Sequence, residues 1–186
     1  ESALKANVSG CAALQTIGYK AFYSAKEANL SGCKALQSIG VAAFYSAEEA
    51  NLSGCAALQT IGDGAFFRAN KVNVSECAAL QTIGIAAVEA ATTFVLPSGE
   101  ETDICNLSGY AALQTIGYKA FGSVTGIVDL SGCKALDHIK ANAFESALKA
   151  ANLSGCIALQ TIGARAFFNA KEANLSGCAA LETIDT

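Results

Sequence analysis

The chain has 186 residues, 12 Lys and Arg against 16 Asp and Glu, a net charge of −4, and 52% apolar residues. The acidic balance and the lack of a basic cluster argue against a nucleic-acid partner, and no run reaches the ~18 apolar residues of a membrane span. The apolar fraction is enough for a continuous core, and a phrase repeated eight times makes that core elongated rather than globular.

The first copy is entered part-way and reads Asn7-Val8-Ser9-Gly10-Cys11, with Leu14, Ile17 and Phe22 after it. The second is the clearest: Ala25, Ala28, Leu30, Cys33, Leu36, Ile39 and Phe44 are its apolar, inward positions. Residues 27–31 are predicted to form a short strand, with Ala28 and Leu30 pointing in and Glu27, Asn29 and Ser31 pointing out. Gly32 turns the chain, and 36–46 are predicted to cross the convex side with a short helical or 3-10 turn. Small Ala on the strand side and large Phe opposite form a wedge, which places the strands on the concave face. The third and fourth copies repeat these landmarks at Leu52 and Val74, then at Ile61 and Ile83, but Val88 takes the slot of Phe66.

A step of 33 residues, where all others are 22 or 23, follows the fourth copy. It marks an irregular insertion at 92–102, in which Pro97-Ser98-Gly99 signals a turn between strand-like phrases at 93–96 and 104–107. A protruding hairpin is the expectation. The fifth to eighth copies then run from Leu107 through Leu130, Leu153 and Leu175 to Ile184. Neither end carries a polar cap, so caps on flanking segments or head-to-tail self-association are expected.

The tail of the phrase is Ile-Gly-x-x-Ala-Phe, as at Ile17-Gly18 to Phe22, Ile61-Gly62 to Phe66, Ile116-Gly117 to Phe121 and Ile162-Gly163 to Phe167. It resembles the LxxIGxxAFxxC unit of BspA-like leucine-rich repeats. The strand phrase IxLP of that family stands here once, as Phe94-Val-Leu96-Pro97, and AxLSGC replaces it elsewhere. The expected fold is therefore an α/β, right-handed leucine-rich-repeat solenoid of about eight coils, one unit over 1–186. The resemblance implies a curved scaffold for adhesion or ligand binding at the cell surface.

Several polar rows accompany the core. Seven cysteines, Cys11, Cys33, Cys55, Cys77, Cys133, Cys156 and Cys178, share one slot that Tyr110 takes in the fifth copy. They are expected to be small, reduced, inward side chains, since a straight row cannot supply four tetrahedral metal ligands. Seven Asn, from Asn7 to Asn174, and Asp129 share a strand slot; each Asn begins an Asn-x-Ser sequon. An amide ladder bonded along the stack is the expectation there. Gln and Thr rows follow, and the single His138 lies next to Asp137, a pair expected to point apart.

No nucleophile with an adjacent base, phosphate loop or metal motif is present, so an enzyme, cofactor or metal is not expected. Outward Ile104 and Ile127 are unusual where Lys or Glu is the rule. With Asp103, Asn106 and Asp129 around them they form the predicted partner-binding site, apolar residues ringed by polar ones. A protein-binding or adhesion scaffold is the first reading. The alternative is a structural subunit of a larger assembly, packing end to end or through a convex ridge of Tyr23, Tyr45 and Phe67; an ice- or glycan-binding surface is a third.

Overall fold

The computed structural model describes residues 4–95 and 100–186. Its strands are β1 (Lys5–Asn7), β2 (Thr16–Ile17), β3 (Glu27–Asn29), β4 (Ser38–Ile39), β5 (Glu49–Asn51), β6 (Thr60–Ile61), β7 (Lys71–Asn73), β8 (Thr82–Ile83), β9 (Thr93–Val95), β10 (Glu101–Thr102), β11 (Cys105–Asn106), β12 (Thr115–Ile116), β13 (Val128–Asp129), β14 (His138–Ile139), β15 (Ala150–Asn152), β16 (Thr161–Ile162), β17 (Glu172–Asn174) and β18 (Thr183–Ile184). They build a parallel β-solenoid with two sheets. One sheet, made by the Thr-Ile pairs, runs unbroken through eight strands, β2 to β18. The other, made by the Ala-Asn strands, is split into β1-β3-β5-β7-β9-β10 and β11-β13-β15-β17.

The register places like residues on like: Ala6, Ala28 and Ala50 align in one sheet, and Ile17, Ile39 and Ile61 in the other. Ala is a poor strand former, and these strands are held by the coil above and the coil below. Between the sheets lies one apolar core, in which Leu30, Leu36, Ile39 and Phe44 are fully buried, as are most of their counterparts in the inner coils, while those at the ends, such as Leu14, Phe22, Phe167 and Leu181, are partly covered. Each such side chain contributes ~1.5–3 kcal/mol by leaving water. The phenylalanines stack along the axis, Phe22 on Phe44 at 5.2 Å, Phe44 on Phe66 at 5.2 Å, and Phe121 on Phe144 at 5.1 Å between ring centres.

The expected helical or 3-10 segments on the far side are absent among the described residues; a two-residue strand and a run of turns occupy 36–46 and its equivalents. The reason is local. Lys20, Ala42, Gly64, Ala86, Lys119, Asn142 and Arg165, one in each of the first seven coils, have φ between 49° and 57°, a left-handed conformation that ends any right-handed helical run. Alternate amides are also drawn to the next coil: Phe22 N–H donates to Ala43 O at 2.8 Å, and only single turns such as Tyr23 N–H to Lys20 O at 3.2 Å close within a coil.

Candidate functional site

Each Ser-Gly-Cys corner of the solenoid is built the same way. The Asn or Asp before it accepts the Ser N–H two residues on, at 2.9–3.2 Å in all eight coils. This local turn uses only a carboxamide or carboxylate oxygen, which is why Asp129 can stand in an Asn row. The expected amide ladder is realised at two steps, Asn152 to Asp129 at 3.2 Å and Asn174 to Asn152 at 3.4 Å. The Asn row is therefore chiefly a set of turns.

The cysteine below each corner donates its S–H to a backbone carbonyl of the preceding coil, as in Cys33 to Val8, Cys55 to Leu30 and Cys133 to Leu107, over 3.0–3.3 Å in six coils. Burial pushes the thiols of Cys55 and Cys156 up to about 11 and those of Cys77 and Cys133 up to about 12. Cys11, in the first described coil, is exposed.

The regularity fails between the fourth and fifth coils. β9 takes the strand place next to β7, with Val72 opposite Phe94, and β10 then pairs antiparallel to β9. The phrase at 93–96 thus forms a hairpin with 101–102 and not with 104–107; Leu96 and the turn Pro97-Ser98-Gly99 lie outside the described residues. Across Asp103 and Ile104 the chain reverses again, with Ile104 N–H bonded to Thr102 Oγ1 at 3.1 Å, and β11 opens the second part of the split sheet. The Thr-Ile sheet ignores all of this: Thr82 and Ile83 pair directly with Thr115 and Ile116. The coils therefore stay in contact along one side and part along the other.

Two large residues fill the opening. Phe94 stands where other coils have Ala, Val or Cys and packs on Phe121, 6.3 Å between ring centres and tilted by 46°. Tyr110 occupies the cysteine slot, and its hydroxyl donates to Val74 O at 2.5 Å. Val74 is the counterpart of Val8 and Leu30, so the phenol makes the same bond as the thiols from a greater distance. Burial pushes that phenol well above its usual range. Above Tyr110 a cleft of about 180 Å³ opens, bounded by Val74 and Glu76 on one wall, Asn106 and Ser108 on the other, with Phe94 and Ile104 as its apolar lining.

The residues singled out in the sequence meet at this break. Cys105 pairs with Val128 and Asn106 with Asp129, which sets Ile104 beside Ile127. Both isoleucines are half-buried. Asp103 is held by Lys149 at 2.7 Å, reaching over the coil between them; that coil has Gly126 there, and a Cβ on it would overlap the Asp103 carbonyl. Asn106 Oδ1 accepts both Ser108 N–H and Ser108 O–H, at 2.9 and 2.7 Å. Three of the five proposed contact residues, Asp103, Asn106 and Asp129, thus also hold the local fold.

A model of the BspA type leucine-rich repeat region (6 copies) matches residues 5–94 and 100–186. The chain belongs to the BspA-type leucine-rich repeat family. The two matched stretches of this BspA-type chain part at the hairpin, where its coils also part. Neither curated proteins nor solved structures gave a match.

Elsewhere on this BspA-type solenoid, Tyr23, Tyr45 and Phe67 stack at 5.0 and 4.9 Å, nearly coplanar in orientation, with Lys20 5.3 Å from the Tyr23 ring centre and Arg68 5.9 Å from that of Tyr45. Asp137 and His138 do not point apart: His138 Nδ1 lies 2.9 Å from Asp137 Oδ1. The two side chains sit at a corner entering β14, where both can lie on the outer surface. Among the described residues no helix is long and apolar enough to cross a membrane.

Proposed function

We propose that the protein is a binding scaffold whose partner, another protein, docks at the break in the split sheet, over Ile104 and Ile127 with Asp103, Asn106 and Asp129 at the margin. The observation that supports this is the coincidence, at one junction, of the hairpin, the cleft and two half-buried isoleucines side by side. Repeat scaffolds carry recognition on surfaces where the repeat is interrupted, and an apolar centre with a polar margin is the anatomy of a hot spot. The test is capture of partners from native material by the wild-type chain and by Ile104→Asp/Ile127→Asp. A partner retained by wild type and lost by the double variant, at unchanged circular dichroism, is the expected result. Equal retention by both would move the site elsewhere.

The structural-subunit reading draws on a different observation. The stacked rings of Tyr23, Tyr45 and Phe67 present their edges outward, and Tyr23 is 38% exposed. A neighbouring subunit would cover those edges. Tyr23→Ser/Tyr45→Ser would then weaken assembly, read by light scattering, while leaving the capture at Ile104 and Ile127 intact.

A further inference from the structure

The corner that follows the Thr-Ile sheet is a part of the molecule that the break leaves untouched. The N–H groups of Lys20, Ala42, Gly64, Ala86 and Lys119 donate to the carbonyls of Val41, Asp63, Ile85, Tyr118 and Ala141 in the next coil, at 2.8–3.2 Å. A Cβ on Gly117 would overlap Gly84 as one on Gly62 would overlap Gly40, so the fourth and fifth coils are as close here as the second and third. Five coils therefore stack in line at this corner, over about 19 Å at ~4.8 Å per step.

The outer surface of the corner is apolar. Among the described residues ten large apolar side chains stand exposed, and four of them, Tyr19, Val41, Ile85 and Tyr118, at 43–68%, share the slot after the glycine of this corner. Asp63 takes that slot in the third coil, its Oδ1 accepting Ile85 N–H at 2.8 Å. The row beside it has Ala42, Gly64 and Ala86 between Lys20 and Lys119, where the sixth and seventh coils have Asn142 and Arg165. Tyr23, Tyr45 and Phe67 border the far side. The Lys20 ammonium lies 5.0 Å from the Tyr19 ring centre and 5.3 Å from that of Tyr23, and a Cβ on Gly64 would lie 3.8 Å from Tyr45 Cδ2. Small residues thus floor a strip with apolar side chains along both margins.

We infer that this strip docks an amphipathic α-helix of a partner protein, laid along the stack. The main chain selects a helix: the carbonyls of Val41, Asp63, Ile85 and Tyr118 are taken by the ladder, so an incoming segment must arrive with its own amides already paired. The spacing agrees. Alternate a and d residues of a helix fall on one face about every 3.5 residues, or about 5.3 Å, close to the step between coils. Charge sets the composition. A carboxylate meets Lys20, a cation one heptad on meets Asp63 two coils away, and aliphatic d residues cover Val41 and Ile85. The strip is apart from Ile104 and Ile127, which belong to the split sheet. It rests on the structural-subunit reading in one respect, in naming what covers the ring edges of Tyr23 and Tyr45.

The probe is a fluorescein-labelled, lactam-stapled helical peptide whose successive a and d positions are Glu, Leu, Arg, Leu and Leu, with Ala and Gln elsewhere. It is titrated with the whole chain and followed by anisotropy. Val41→Asp/Ile85→Asp, at exposed positions and with unchanged circular dichroism, is expected to weaken binding at least about tenfold. A peptide with Lys for its Glu is expected to bind wild type about fivefold more weakly and to regain that loss on Lys20→Glu. No binding, equal binding by the Val41/Ile85 variant or by a scrambled peptide of the same composition, or no recovery on Lys20→Glu would each overturn the inference. Retention of the chain on vesicles of phosphatidylcholine and phosphatidylserine, lost in the same double variant, would give the strip to a membrane instead. A dimer that this variant abolishes would give it to a second copy, and either result overturns the helix. The structural-subunit reading is decided separately, by light scattering of Tyr23→Ser/Tyr45→Ser.

Discussion

Tyr110 gives the most direct measure of how far the coils part. Seven other coils have Cys in its slot, so replacing Tyr110 by Cys restores the repeat and, by consensus reasoning, should stabilise the chain. The geometry says the opposite. A thiol reaches its carbonyl over 3.0–3.3 Å where coils are in contact, but at this junction only a phenol spans to Val74 O. Tyr110→Phe removes the hydroxyl alone. Val74 O keeps its bond from Cys77 N–H at 3.3 Å, so the loss is that of one net hydrogen bond, about 1 kcal/mol. For a chain of this length it lowers Tm by about 2–4 °C. Tyr110→Cys loses the ring as well. Truncating a fully buried aromatic costs about 3–5 kcal/mol; Tyr110 is partly buried and lines the cleft, and the sulfur is retained, so the expectation is about 2 kcal/mol, below that range. Urea unfolding followed by far-ultraviolet circular dichroism, in reductant, orders the three proteins as wild type, then Phe, then Cys. A Cys variant as stable as wild type would refute the reasoning, because it would mean the coils at this junction are as close as at the others.

Three more outcomes are expected. The buried thiols make the fold sensitive to alkali: pushed up to about 11 at Cys55 and about 12 at Cys77 from the ordinary 9.0, they keep protons that the unfolded chain gives up. Their contribution is complete below pH 9 and falls as pH rises toward the folded values, by at most about 1.4 kcal/mol per thiol and pH unit; a urea midpoint that stays level from about pH 8 to 10.5 would contradict this. Asn51→Asp should be nearly neutral and Asn51→Ala should cost about 1 kcal/mol, since only Oδ1 is used, in accepting Ser53 N–H at 3.1 Å; thermal melts of the pair distinguish a turn from an amide ladder. Gly126→Ala should displace Asp103 and break its ion pair with Lys149. Its signature is faster exchange of the Cys105 amide, bonded to Ile127 O at 2.9 Å, whereas Lys149→Ala alone, at an exposed pair, should cost no more than about 1 kcal/mol.

The repeat period and the inward positions were legible in the sequence, because a slot filled by Leu or by Ile in every copy, as at Leu36 and Ile39, has one physical explanation. Ala28, Leu30, Cys33, Leu36, Ile39 and Phe44 are all buried as that pattern requires. The second sheet was not legible. A two-residue strand such as Thr60–Ile61 shows no alternation, and its pairing is wholly between coils. The helical expectation failed on residues whose identity hides their conformation: nothing in Ala42 or Lys119 announces a positive φ. At the candidate site, Ile104 and Ile127 stood out by type. Tyr110, Phe94 and Gly126 read only as irregular letters, and Lys149 as an ordinary surface lysine 46 residues from Asp103. Their roles come from what the hairpin does to the stacking distance, which no single copy of the repeat contains.

The one-sided junction also bears on how the chain folds. In a linear stack each coil is stabilised by its two neighbours alone, and order propagates through the interfaces between them. Seven interfaces connect these eight coils, and at the one between the fourth and fifth the Thr-Ile pairing continues while the opposite sheet is divided between β10 and β11. Propagation of order is weakest there. Two cooperative blocks are therefore the expectation, joined through the Thr-Ile pairing and the bonds of Ala86 N–H to Tyr118 O and Val88 N–H to Ala120 O, with partial denaturation able to stop between the fourth and fifth coils.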